Sequence, residues 1–378
     1  MIKRLASFLN RTRMLPPVVL EPANASRGCV TISYLSWPFR EGWDPLKARG
    51  HTNTFEVVAM AQAYQALGFR VEIIEWDNTT YIPPTDCRIA IDIHGNLERW
   101  SLPDGCRKIL HATGPHWLFW NHAELTRLLG VQARKGVALK PRRHVVPSRG
   151  VEVADQVVVL GNEFTRGSFL FGGKPVTRVP ISSAYEFPWP QNRDFDSAKK
   201  RFLWVGSYGM VHKGLDLALD AFAEMPDLEL TVCGRPEKED DFYRLYEKLL
   251  LKTPNIRLHG WLDMATPDFA EIARTHAAVI YPSSAEGGAG SVIHCMHAGM
   301  LPICTTEASI DLTDFGVRVG SGTVEAVQEA CRAVAGMPAS EAESRARDAY
   351  EHVRTVHSRE KFRENYRRFA ISVAETVP

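Results

Sequence analysis

The chain has 378 residues, of which 45% are hydrophobic and 24% are charged, and its formal net charge is +1. This length predicts two domains, and the near-neutral charge argues against nucleic acid as a partner. The seven cysteines form no CxxC pair, which favours free thiols in a reducing compartment over disulfides or a zinc site. Because no run of eighteen apolar residues occurs, we expect no transmembrane helix and a cytoplasmic location.

The N-terminal stretch MIKRLASFLNRTRML is basic and lacks the apolar core of a secretory signal. Ile2, Leu5, Phe8 and Leu9 would share one face of a helix. A frayed tail is the simpler interpretation of this segment. Peripheral contact with the inner face of a membrane, through that apolar face, is the alternative.

Short apolar runs alternate with helical patterns through the first half of the chain. A helix is predicted at 51–68, capped by Asn53 or Thr54 and stopped by Gly68, and another at 117–129. The predicted strands are residues 29–35, 69–76, 87–92, 107–112 and 154–161. Strands separated by helices predict parallel pairing through right-handed crossovers, as in a doubly wound α/β sheet.

The second half repeats this alternation after an interruption. Residues 182–200 contain two prolines and little periodicity, which predicts an interdomain linker. A helix is predicted at 214–225, and strands are predicted at 202–207, 228–234, 256–260 and 278–283. We therefore expect a Rossmann-like domain at 1–181 and a second at 201–357, facing each other across a cleft where ligands bind in such folds.

The stretch SAEGGAG, residues 284–290, joins a predicted strand to a predicted helix. Glycines such as Gly288 allow close backbone approach, and the N–H groups near Ala289, Gly290 and Ser291 would form an anion site. Glu286 would repel a phosphate, so we expect it to face a neutral donor such as a sugar hydroxyl. A tight turn with a solvated glutamate is the simpler alternative.

A second turn in this half also suits phosphate. The stretch VGSYGMVHKG, residues 205–214, leaves a predicted strand through two glycines and places Lys213 at the entry to a helix. A lysine at that position can bind a diphosphate as a point charge. The alternative is an ordinary surface lysine.

With these motifs, residues 200–335 resemble the retaining, metal-independent GT-B glycosyltransferases of family 4. The matching stretches are FLWVGS, HKGLDLALDAF, LTVCG, NIRLHGWL and YPSSAEGGAGSVIHCMHAGMLPI. The resemblance implies a nucleotide diphosphate sugar as donor, bound mainly by the C-terminal domain, with no metal and no other cofactor. It also implies that a last helix, within 358–378, packs back on the N-terminal domain.

The resemblance implies roles for residues in the C-terminal domain, and it shows two positions at which this chain differs from the family. Glu286 matches an acidic residue that contacts the donor sugar, and Lys213 matches a lysine on the diphosphate. His294 stands where the family has a carboxylate that accepts hydrogen bonds from the ribose. Ser207 stands where the family has a diphosphate-binding arginine, and Arg235 is the expected substitute.

In the N-terminal half the resemblance implies a histidine close to the donor sugar, and the candidates are His111 and His116. Their neighbourhood could instead be a packed aromatic cluster of the core. The loop that follows the first predicted strand would approach the donor phosphates and the acceptor. Gly50, His51 and Thr52 are its expected contacts.

These assignments lead to a hexosyltransferase that acts in glycan or surface polysaccharide biosynthesis. The expected acceptor is a glycan, a lipid-linked molecule or a small molecule. Two alternatives stay open. The departures at Ser207 and His294 would fit a catalytically degenerate binding protein, and a nucleotide-sugar epimerase of the same fold would convert the donor without any acceptor.

Overall fold

The computed structural model describes residues 15–24, 26–40 and 51–377. Its first sheet has the strand order β1-β3-β2-β4-β5-β6-β7, and every pair is parallel except β1 with β3. The strands are β1 (Val18–Leu20), β2 (Cys29–Tyr34), β3 (Arg70–Glu75), β4 (Cys87–Asp92), β5 (Arg107–Ala112), β6 (Gln156–Val159) and β7 (Val176–Arg178). The strand order reverses beside β2, which makes this a doubly wound sheet.

The second sheet is wholly parallel and has the order β10-β9-β8-β11-β12-β13. Its strands are β8 (Arg201–Val205), β9 (Glu229–Cys233), β10 (Ile256–Gly260), β11 (Ala278–Tyr281), β12 (Leu301–Cys304) and β13 (Val317–Arg318). The order reverses between β8 and β11, so the crevice at this end of the sheet is the place where such folds bind ligands.

Helices cover both faces of the sheets, and the strands are accordingly apolar along most of their length. All four residues of β11 and all four of β12 are buried, as expected for parallel strands covered on both sides. The described helices are α1 (Thr52–Ala66), α2 (Trp117–Lys135), α3 (Gly150–Val153), α4 (Glu163–Gly167), α5 (Phe195–Ala198), α6 (Leu215–Ala223), α7 (Asp240–Lys252), α8 (Pro267–Thr275), α9 (Gly290–His297), α10 (Val324–Gly336), α11 (Ala339–Val356) and α12 (Arg359–Ala374).

The last helix lies against the first. The ring of Phe362 on α12 meets that of Phe55 on α1 at 6.2 Å, and Tyr366 meets Tyr64 at 6.4 Å. Residues 179–194, which form no helix or strand, connect the two sheets. The exact domain boundaries stay a prediction, but the α/β class with two doubly wound sheets is confirmed.

Several predicted helix ends differ from the observed ones. The first helix begins at Thr52 after an extended His51, ahead of the predicted caps Asn53 and Thr54. The second continues past residue 129 to Lys135, because Gly130 is tolerated inside it and Gly136, at φ +67°, ends it. The N-terminal apolar face and Gly50 lie outside the described residues.

None of the described helices combines the length and the apolar character that crossing a bilayer requires.

Candidate functional site

A cavity of about 940 Å³ opens between the carboxyl ends of the two sheets. Tyr34 at the end of β2, Val205 at the end of β8 and Cys233 at the end of β9 contribute to its wall. Residues from both halves of the chain therefore face one ligand-sized space. This position matches the crevice that the reversed strand order creates in each sheet.

The turn between β11 and α9 forms one wall of this cavity through Glu286, Gly287, Ala289 and Gly290. Ala289 adopts a left-handed backbone conformation at φ +31°. Gly287 has a different role from the one expected of glycines here. A Cβ atom on Gly287 would overlap the backbone carbonyl of Thr113, so this glycine allows the two halves to touch.

Glu286 and Lys213 form a buried ion pair beside the cavity. The Lys213 ammonium donates to Glu286 Oε1 and to the Tyr281 hydroxyl, the latter at 2.8 Å. Burial alone would raise the pKa of Glu286, but the positive charges of Lys213 and Arg143 outweigh it and lower that pKa to about 2. Glu286 is therefore a carboxylate at neutral pH, and it lines the cavity.

The first turn of α9 points its backbone toward the same space. Gly290 and Ser291 line the cavity, and no backbone or side-chain acceptor among the described residues binds their N–H groups. Unpaired N–H groups at a helix start carry partial positive charge. An anionic group in the cavity could accept hydrogen bonds from them.

His294, one turn further along α9, lines the cavity with its ring only 3% exposed. Its Nε2 accepts a hydrogen bond of 2.8 Å from the backbone N–H of Ala184. Burial lowers the pKa of His294 to about 3, so the ring is neutral and its hydrogen is on Nδ1. The single acceptor atom of the ring is thus used by the segment that connects the sheets.

Of the other residues predicted to contact the donor, some line the cavity and some do not. Ser207, His51 and Thr52 line the cavity. Arg235 stacks on the cavity-lining ring of Trp261 at 4.4 Å, but its own side chain is not part of the wall. Gly288 packs beneath Ile181 at φ +112° and also lies outside the wall.

The structure does not bring His111 or His116 to the cavity wall. His111 is fully buried on β5, between the rings of Tyr34 at 5.6 Å and Tyr366 at 6.0 Å. The last helix covers this face of β5, which a local pattern cannot show. His116 caps the start of α2 and packs against Phe171 at 4.9 Å.

Three charged residues in the wall, Arg143, Glu56 and Asp263, were not predicted. Arg143 belongs to a segment without periodicity, which carries no sequence signal of its spatial reach. Glu56 lies on α1 and is fully buried; its Oε1 accepts hydrogen bonds from the backbone N–H of Ser182 at 2.8 Å and from its hydroxyl at 3.1 Å. The other carboxyl oxygen of Glu56 has no partner among the described residues.

Within the described ranges, no group of three or more His, Cys, Asp or Glu side chains is arranged to hold a metal ion. The cationic groups near the cavity are instead Lys213, Arg143 and the start of α9.

Residues 199–337 match the family described as glycosyl transferases group 1. That range contains the whole second sheet together with Lys213, Glu286 and His294. No curated protein sequence matches the chain.

Solved structures resemble the chain over nearly its whole length. WaaG, a glycosyltransferase involved in lipopolysaccharide biosynthesis, is 14% identical, with a TM-score of 0.52 over 86% of this chain and 95% of that one. HepE of Anabaena, solved in complex with UDP and glucose, is 10% identical, with a TM-score of 0.54 over 92% and 99%. The α,α-trehalose 6-phosphate synthase of Burkholderia multivorans is 11% identical, with a TM-score of 0.59 over 93% and 99%. At these identities the likeness establishes the fold alone.

The domain match and the fold together confirm the predicted resemblance. The chain has the GT-B fold, and its residues 199–337 match a group 1 glycosyltransferase domain.

Proposed function

We propose that this protein is a glycosyltransferase that moves a hexose from a nucleotide diphosphate sugar to an acceptor hydroxyl, with retention and without a metal ion. The observation that carries the proposal is the shared position of Glu286 and the start of α9. A carboxylate and a set of unpaired N–H groups open into one cavity at the crevice of the second sheet. A sugar diphosphate has hydroxyls for the first and anionic oxygens for the second.

Each group has a role that follows from its charge. The N–H groups of Gly290 and Ser291 would bind the diphosphate and stabilise the negative charge that develops as it leaves. Glu286 would accept hydrogen bonds from the hydroxyls of the sugar. Lys213 would hold Glu286 in place and add positive charge near the leaving group, so a metal ion is not required.

The similar proteins support the donor class. HepE was solved with UDP and glucose, and WaaG acts in lipopolysaccharide biosynthesis. By analogy, the acceptor of this chain would be a glycan, a lipid-linked molecule or a small molecule within glycan biosynthesis. The cavity has room for a donor together with an acceptor hydroxyl.

The direct test is turnover in the presence of EDTA. Wild type is incubated with UDP-, GDP- and ADP-hexoses and a panel of glycan acceptors, while nucleoside diphosphate release and the anomeric configuration of the product are followed. We expect nucleoside diphosphate release from one donor and a product that keeps the anomeric configuration of the donor. Glu286→Gln should lower the turnover rate by about a hundredfold. Glu163→Gln, which changes an exposed carboxylate, is the matched control.

Other outcomes would contradict the proposal in distinct ways. Release only after addition of a divalent ion would exclude the metal-independent reaction, and an inverted anomer would exclude retention. Conversion of the donor sugar without diphosphate release would indicate an epimerase. Donor binding with no turnover on any acceptor would support the degenerate binding protein.

A further inference from the structure

Arg143 lies in the cavity wall although it belongs to the first half of the chain. Its side chain packs against the turn that follows β8 in the second half. A Cβ atom added to Gly209 would come within 2.6 Å of Arg143 Cγ. Ser207, the position that lacks the expected arginine, is in the same turn and the same wall. Arg143 therefore reaches the place where that cation is missing.

The guanidinium of Arg143 has no hydrogen-bond or ion-pair partner among the described residues, and its Nε is a buried donor without an acceptor. The neighbouring Arg142, by contrast, is paired with Asp241. Arg143 is half-buried, and a partly buried cation without an anionic partner loses solvation that a ligand anion would compensate. The charge of Arg143 already acts on Glu286 across the cavity, since it helps to lower the pKa of that carboxyl.

The backbone and stem of Arg143 are nevertheless held firmly. Its N–H donates to Glu124 Oε1 at 2.8 Å, and its carbonyl accepts from the Trp120 indole. The guanidinium carbon lies 5.3 Å from the centre of the Trp120 ring, within range of a cation–π contact. This arrangement orients the guanidinium while its N–H groups remain unpaired, as a preformed anion site requires.

Two ion pairs and a hydrogen bond connect residues 134–140 of the first half to the second half. Arg134 binds Asp216 at 2.6 Å, Lys135 binds Asp220 at 2.7 Å, and the Lys140 N–H donates to Asp241 at 2.8 Å. These contacts flank Arg143 on its N-terminal side. They keep its side chain over the turn that contains Ser207 as long as the two halves are together.

We propose that Arg143 is a diphosphate-binding residue of the donor site, supplied by the first half of the chain in place of the cation that Ser207 lacks. The inference rests on the proposed function and assigns a donor contact within it. Because one phosphate partner comes from each half, the leaving group is fully neutralised only when the halves are assembled around it.

The test is calorimetric titration of UDP, GDP and ADP, in EDTA, into wild type, Arg143→Ala, Arg143→Lys and Arg149→Ala. Arg149 is exposed, lies outside the cavity wall and is the charge-matched control. For the nucleotide that binds wild type, we expect Arg143→Ala to weaken binding by about tenfold or more, since a charge-assisted contact is lost. The affinity of Arg143→Lys should lie between those of Arg143→Ala and wild type, because lysine keeps the charge but lacks the planar, bidentate geometry of the guanidinium.

The same titrations separate this inference from the proposed function. If wild type binds no nucleotide, the proposed function fails and the inference fails with it. If wild type binds one but Arg143→Ala binds it as tightly as Arg149→Ala does, only the inference is overturned. Thermal unfolding of each variant confirms that the fold is intact, which we expect because the guanidinium makes no hydrogen bond or ion pair with the described residues.

Discussion

Lys213 and Glu286 were each expected to contact the donor, and the structure also pairs them with each other. Both side chains are about 10% exposed, so each neutralises a charge that would otherwise be buried alone. Removal of one member of such a pair is far more damaging than removal of both. Binding losses in a Lys213 variant must therefore be separated from losses of stability.

We predict that Lys213→Met lowers the free energy of unfolding by about 3 kcal/mol, because it leaves the Glu286 carboxylate buried without its partner. The double variant Lys213→Met/Glu286→Gln should regain most of that loss while remaining inactive. Urea unfolding of wild type, the two single variants and the double variant gives the four free energies of unfolding of a double-mutant cycle. Strictly additive effects would show that the pair is not coupled.

Glu56 gives a second prediction, in the pH dependence of stability. Burial raises its pKa from 4.5 to about 7, against the opposing hydrogen bonds from Ser182. The folded state thus holds this proton more tightly than the unfolded chain, and Glu56 costs stability as pH rises from about 4.5 to about 7. Glu56→Gln should gain stability relative to wild type over that window, by about 3 kcal/mol in all.

Urea unfolding at several pH values between 4.5 and 8 measures this difference. The exposed Glu163→Gln variant is measured alongside as the matched control. A difference between Glu56→Gln and wild type that does not change with pH would contradict the assignment of a raised pKa to Glu56.

At the scale of elements, the turn from β11 to α9 lines the cavity and also forms a contact between the two halves. Gly287 has no room for a side chain against Thr113, and its neighbour Glu286 lines the cavity. The sequence correctly placed this turn between a strand and a helix. It could not show that the backbone which Gly287 approaches belongs to the other half of the chain.

We predict that Gly287→Ala pushes the two halves apart at Thr113 and lowers turnover by about tenfold or more, because misplacement by about an ångström has costs of this order. Gly320→Ala is the matched control, since an added Cβ meets nothing within 4 Å there. Turnover and thermal unfolding are measured on both variants. Unchanged turnover in Gly287→Ala would show that the contact with Thr113 is not needed.

Several elements were predictable because their pattern is local. The strands 87–92, 107–112 and 256–260 have the bounds that their apolar runs predict. Arg143 and Glu56 were not predictable as cavity residues, because their position depends on packing between elements distant in sequence. His111 illustrates the converse: its place at a strand end was predicted, but the helix that covers it comes from the end of the chain.

At the scale of the whole molecule, the segment that connects the sheets is hydrogen-bonded to side chains of both halves. Glu56 of the first half accepts from Ser182, and His294 of the second half accepts from Ala184. Both side chains also line the cavity. A ligand that fills the cavity would therefore lie beside the groups that hold the connecting segment.

The buried histidines predict how the whole fold responds to acid. Burial lowers the pKa values of six of them to about 3 or about 4, from an ordinary 6.5: His111, His212, His276, His294, His297 and His357. The unfolded chain binds these protons more readily, so stability is fully present above pH 6.5 and is lost as pH falls toward 4. Burial also raises the pKa values of the carboxyls of Glu56, Asp92, Asp216 and Glu239, which act in the opposite direction.

We therefore expect the urea midpoint to fall steadily between pH 7 and pH 5, with an uptake of several protons on unfolding. Carboxylates with ordinary pKa values contribute little in this range. A midpoint that stays constant from pH 7 to pH 5 would contradict the assignment of buried neutral histidines.

The proposed function requires that the cavity between the two sheets binds a nucleotide diphosphate sugar. Its most direct test is calorimetric titration of UDP, GDP, ADP and their hexose conjugates into wild type, in EDTA, with Glu286→Gln alongside. We expect the nucleotide of one base to bind with a Kd of roughly micromolar order, and Glu286→Gln to weaken binding of the sugar conjugate more than binding of the free diphosphate. Binding of none of these ligands would contradict the account.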